Sequence, residues 1–233
     1  MLLDLIKSGS FNAETVIELL LYIIIILISL SVHELSHGYA AYRCGDATAR
    51  NLGRLTLNPL AHLDPIGTVM MLLFGFGYAK PVPINPRNFK HYKRDLCIVS
   101  FAGPVSNLLL SFIGAIIYYL SLIFLPFAAK MSVPGSLWLS FCFSFITANA
   151  SLCVFNLLPI PPLDGSRIIS AVLPGKAAYY YLKYERYIMI IMFVLLYQGA
   201  LDNVLRFLSG GLLNGIITVV DFIFSPLITL IYG

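Results

Sequence analysis

The chain has 233 residues, of which 59% are apolar and only 11% charged, against roughly 25% charged in ordinary soluble domains. That excludes a soluble enzyme and leaves a polytopic membrane protein, with the length taken up by spans and no room for a separate soluble domain. The net charge of +4 does not point to nucleic acid, because the basic residues flank apolar segments.

Residues 16–32 form the first apolar run. It ends in polar chemistry rather than a small-residue cleavage site, so it is not a removable signal peptide. Glu14 and Glu18 suit a helix N-terminus, and the helix is expected to continue to about Tyr42. At ~1.5 Å per residue its end then reaches the far interface. Residues 43–65 are polar and broken by Gly45, Gly53, Pro59 and Pro65. Within them "LGRLTLN" alternates and predicts a short strand over 52–57. The apolar part of "PIGTVMMLLFGFGYA", 65–79, is too short to span and reads as a re-entrant or buried segment. In "KPVPINPRNF", Pro81 and Pro83 share one strand parity, which predicts an edge strand over 79–85.

Three longer runs follow, at 97–127, 136–158 and 211–232, with a shorter apolar stretch at 187–201. The expected fold is an all-α polytopic membrane protein of five to six membrane helices or segments, with a re-entrant segment and short membrane-associated strands. It is one transmembrane domain over 1–233, with a core at 16–186 and a C-terminal helix pair at 187–232. Of the 15 Lys and Arg, twelve fall in 38–95 and 165–186 and three (Lys7, Lys130, Arg206) at the other ends. By the positive-inside rule both basic loops are cytoplasmic, and the N-terminus is outside. The four cysteines (Cys44, Cys97, Cys142, Cys153) form no CxxC pair and read as small reduced hydrophobes.

The informative stretch is "SVHELSHGYA", 31–40. His33 and His37 are four apart and face the same way on a helix, as two ligands of one Zn²⁺ must. Glu34 is offset by roughly a hundred degrees and can reach a water between them as a general base. Ionisable groups inside a span are costly and mark function. A catalytic zinc needs a third protein ligand. Arg43 stands where the soluble HExxHxxGxxH form has a histidine. The remaining candidates are His62, His91, Asp64, Asp164 and Asp221. Asp164, in "FNLLPIPPLDGSR" at the cytoplasmic end of a span, shares the depth of His37; His62, in "NPLAHLDP", is the runner-up.

HExxH in a first core span, "FAGPVSN" opening a second and "NLLPIPPLDG" closing a third together resemble the site-2 protease family of intramembrane zinc metalloproteases, over roughly 30–185. The resemblance implies one zinc per chain on His33, His37 and Asp164. It implies Glu34 as catalytic glutamate and Asn156 as a residue that positions substrate or stabilises the oxyanion. It also implies that Asn107 and the edge Pro81, Val82 and Pro83 bind substrate, held extended. The spacing leaves no room for a PDZ-like insertion, so the chain reads as a minimal member. The expected function is regulated intramembrane proteolysis: hydrolysis of a peptide bond in or near a transmembrane helix of a membrane-protein substrate. The expected site is the prokaryotic inner membrane, with the catalytic centre toward the cytoplasm. The alternatives are a catalytically inactive zinc-binding scaffold, for which Glu34 would be dispensable, and a transporter, for which inverted repeats are expected and none is seen.

Overall fold

The structure is a computed structural model that describes residues 13–74 and 79–232. Among the described residues ten α-helices run in order: α1 Ala13–Arg43, α2 Thr48–Asn51, α3 Pro65–Phe74, α4 Tyr92–Phe124, α5 Phe127–Lys130, α6 Val133–Leu157, α7 Asp164–Val172, α8 Gly175–Lys183, α9 Glu185–Tyr197 and α10 Asp202–Tyr232. Among the described residues four helices are long and apolar enough to cross a membrane, within α1, α4, α6 and α10. The protein is accordingly an integral membrane protein. The α9 helix has 13 residues, about 20 Å, short of the roughly 30 Å hydrocarbon core.

The chain divides into two compact units, residues 1–102 and 103–233, with the boundary inside α4. In the first unit α1 is the long element. Its serine hydroxyls are satisfied within the helix, as a lipid-embedded segment requires: Ser29, Ser31 and Ser36 each donate to the carbonyl four residues back, at 2.7 Å. Ile25, Ile26 and Ala41 of α1 are buried, as are Ala49, Val82, Phe89 and Val99 elsewhere in this unit. The turn after α1 needs Gly45, whose φ of 109° lies in the left-handed region. Asp64 caps α3 by accepting from the amides of Ile66 and Gly67 at 3.0 and 2.9 Å.

The second unit is built on α6 and α10 with the C-terminal part of α4. Ala115, Ile146, Ala150, Ile216 and Val220 form its buried core. Two polar links cross it: Asn107 Nδ2 donates to Asn149 Oδ1 at 3.0 Å, and Ser111 Oγ to the Ile146 carbonyl at 2.9 Å. Asp221 accepts from Tyr119 Oη at 3.4 Å, a helix–helix hydrogen bond.

Two expected features are not formed. Among the described residues there is no strand. At 52–57 the reason is local: Leu52 closes the α2 turn and Gly53 follows with φ 66°. At 79–85 the donors are spent on single partners rather than a ladder. Lys80 N–H donates to His62 O at 2.8 Å, Val82 N–H to Glu34, and Asn85 N–H to Asp46, while Pro81 and Pro83 have none. The expected re-entrant stretch is helical over Pro65–Phe74, and residues 75–78 lie outside the described residues, as does Lys7. The last helix starts at Asp202 rather than 211.

Candidate metal centre

Helix α1 alone sets the relation of His33 to His37. One turn apart on its inner side, both are buried, 5% and 7% exposed. Their Nε2 atoms are 3.0 Å apart and their rings meet edge-on at 83°. Two nitrogens on one tetrahedral zinc at about 2.05 Å would stand roughly 3.3 Å apart, so the pair needs a few tenths of an ångström to hold the ion. The far nitrogen of His37 is fixed as well. Its Nδ1 lies 2.7 Å from the Val99 carbonyl, an acceptor only, so Nδ1 carries the proton and Nε2 presents its lone pair toward His33. A metal-bound histidine takes this arrangement when its second nitrogen is oriented by a carbonyl. The residues therefore fit a zinc ion.

Glu34 sits beside this pair. Its Oε2 accepts the Val82 amide at 2.8 Å, which places the Pro81–Val82–Pro83 segment on α1. Gly38, one turn past Glu34, makes the approach possible: a Cβ there would lie 3.0 Å from Val82 Cγ1 and 2.5 Å from Leu55 Cδ2. Arg54 supports the same segment, its Nη2 donating to Lys80 O at 3.0 Å and Pro81 O at 3.3 Å. His62 is buried and its Nε2 donates to the Thr56 carbonyl at 2.9 Å, so that nitrogen is bonded to loop backbone.

The other expected residues lie in the second unit. Asp164 is the first residue of α7 and half-buried. The loop before it is anchored by Tyr181 Oη, 3.0 Å from Pro159 O. Gly165 is required next to it, because a Cβ there would collide with the Leu157 and Leu158 carbonyl oxygens. Asn156 is half-buried near the end of α6, with Nδ2 3.0 Å from Leu152 O. Asn107 is fully enclosed, 0% exposed, and pairs with Asn149. Gly38, Arg54, Asp46 and the Val99 carbonyl also belong to this arrangement and were not expected from the sequence. Gly38 directly after the second histidine was a legible signal; a backbone carbonyl has none.

Two convergent imidazoles and a carboxylate on one membrane-length helix are arranged as an HExxH site that could hold a metal ion. The chain belongs to peptidase family M50, the site-2 protease family, whose model matches residues 21–135 and 122–198. It is 42% identical over 214 residues to a Bacillus subtilis protein named "Putative zinc metalloprotease YwhC", covering 91% of this chain and 96% of that one. It is 33% identical over 144 residues to Rip2 of Mycolicibacterium smegmatis, 60% of this chain and 52% of that protein, and 32% identical over 108 residues to MJ0611 of Methanocaldococcus jannaschii, 45% and 49%. Both bear the same style of zinc-metalloprotease name, and the chain spans about half the length of each. No solved structure matches.

Proposed function

We propose that the protein is an intramembrane zinc endopeptidase that hydrolyses a peptide bond in or near a transmembrane helix of a membrane-protein substrate. The observation that carries this is the pairing on α1: His33 and His37 Nε2 atoms 3.0 Å apart, with Glu34 alongside and bonded to Val82 at 2.8 Å. His33, His37 and Asp164 are the proposed ligands of one zinc. Asp164 is assigned by the resemblance of its motif and supported by its half-buried place at the start of α7. Zinc bound there supplies Lewis-acid activation of water and of the scissile carbonyl.

The chain's own residues do the rest. Val99 holds His37 in the ligating tautomer. Glu34 removes a proton from the attacking water and delivers it to the leaving amine. Asn156 donates from its amide to the developing oxyanion. A helical substrate hides its peptide bonds in its own ladder and must unwind, so that its main chain lies along Pro81–Pro83, within reach of Glu34. Asn107 completes the proposed substrate contacts and is reached only if α4 and α6 part. The proposed setting is a prokaryotic inner membrane, with the basic loops and the centre toward the cytoplasm.

The test is cleavage of a single-span reporter by detergent-purified parent and Glu34→Gln proteins. The proposal predicts a chelator-sensitive product with the parent only. Chelator-insensitive cleavage, or equal cleavage by both, would overturn it.

A further inference from the structure

Asp46 is a fully buried carboxylate, 0% exposed, that the proposed chemistry does not use. It lies just past the end of α1. Its two oxygens take four hydrogen bonds. Oδ1 accepts from Thr48 N at 3.1 Å, from Thr48 Oγ1 and from Asn88 Nδ2 at 2.7 Å; Oδ2 accepts from Asn85 N at 2.7 Å.

The Thr48 bonds are local and serve the start of α2. The Asn85 and Asn88 bonds are not: they reach about forty residues along the chain, to the segment whose Val82 amide bonds Glu34. Two further contacts close the same clasp. Lys90 N–H donates to Cys44 O at 3.3 Å, and Gly45 leaves room for Asn88 O, which a Cβ would approach to 3.0 Å. The Lys80 end is held by His62 O and Arg54. The stretch from 80 to 88 is therefore pinned at both ends, and Asp46 is the charged anchor of the second.

We infer that Asp46 is a positioning residue for the reaction: through Asn85 and Asn88 it sets where Pro81–Pro83 lies against α1, and so where a substrate main chain lies relative to Glu34. This rests on the endopeptidase reading with Pro81–Pro83 as a substrate contact.

The test is kinetic. Asp46→Asn is nearly isosteric, but it can keep its oxygen toward Thr48 and Asn88 only by turning an NH₂ against the Asn85 N–H. Asn88→Asp, at an exposed position, sets a second carboxylate against Asp46 without changing the buried group, and it decides the matter where Asp46→Asn fails to fold. KM and kcat are measured on the single-span reporter, with zinc per chain and Tm measured on the same samples. The expected result is a KM raised roughly tenfold, the scale of one charge-assisted hydrogen bond of ordering. Zinc content stays at the parental level and kcat within about twofold. An unmoved KM, with kcat and Tm falling together as the active fraction shrinks, would show that Asp46 only holds the fold and would overturn the inference. With cleaving parent and dead Glu34→Gln, an unmoved KM overturns this inference alone. A zinc-loaded parent that does not cleave removes both.

Discussion

The Val82 amide stands 2.8 Å from Glu34 Oε2, although the two residues are 48 apart in sequence. A main-chain donor is thus held on the proposed general base, and the segment flanked by Pro81 and Pro83 is fixed beside it. Glu34→Gln keeps a carbonyl oxygen that can accept the same amide, so it separates proton transfer from architecture. The expected outcome is zinc at the parental level, Tm within about 2 °C and cleavage reduced by at least the roughly 10²–10⁴-fold typical of general acid–base groups. Zinc analysis, thermal melts and reporter cleavage on one preparation check it; a variant that keeps most of its activity would remove Glu34 from the mechanism.

Gly38 carries a second prediction. A methyl group there meets Val82 Cγ1 at 3.0 Å and Leu55 Cδ2 at 2.5 Å. Leu55 can swing away, while Val82 is buried and tied to Glu34. Gly38→Ala is therefore expected to destabilise by about 1–3 kcal/mol, as overpacking does, and to slow cleavage without lowering zinc content. Gly38→Val should do both more severely. A Gly38→Val protein with parental cleavage would show that the close approach is not used.

Asp46 gives a pH prediction with a definite sign. Burial pushes its carboxyl up. The hydrogen bonds from the Thr48 hydroxyl, the Asn85 amide, the Asn88 side chain and the Thr48 amide outweigh it and hold the group below its usual range. A carboxyl depressed in the folded state contributes stability that is fully present above the unfolded value of ~3.9 and is lost as pH falls through the folded one. The Tm gap between parent and Asp46→Asn should thus be constant from neutral pH to about pH 5 and close below about pH 4. A gap that widens on acidification would contradict the clasp.

Much of this centre was legible because its rule is local. One turn of helix sets His33 against His37, so HExxH reads directly as geometry. The groups that finish the arrangement are main-chain atoms, the Val99 carbonyl and the Val82 amide, and no residue type announces them. The strand expected at 79–85 failed for a related reason. Alternation and two prolines describe an edge, but Lys80, Val82 and Asn85 give their amides to His62, Glu34 and Asp46 in turn. The start of α10 was misplaced because Asp202, Asn203 and Arg206 read as loop; in the helix Arg206 bonds back to the Asp202 carbonyl and Asn203 at 3.3 and 3.2 Å.

Asn107 shows how a motif residue can serve packing. Its bond to Asn149 is enclosed, and interhelical side-chain hydrogen bonds in membranes average ~0.6 kcal/mol, with a maximum near 1.7. Asn107→Ala should cost stability on that scale, and its KM reports directly on the proposed substrate contact. A loss above about 4 kcal/mol would show that the residue supports more than this pair.

The proposed zinc centre joins the polar groups of α1 to Asp164. The most direct measurement is zinc per chain in detergent-purified parent, His37→Ala, His62→Ala and Asp164→Ala proteins of verified fold. Near-stoichiometric zinc is expected in the parent and in His62→Ala, and its loss in His37→Ala and Asp164→Ala. A well-folded parent that takes up no zinc on resupply would contradict the metal centre, and undiminished zinc in Asp164→Ala would contradict the third ligand.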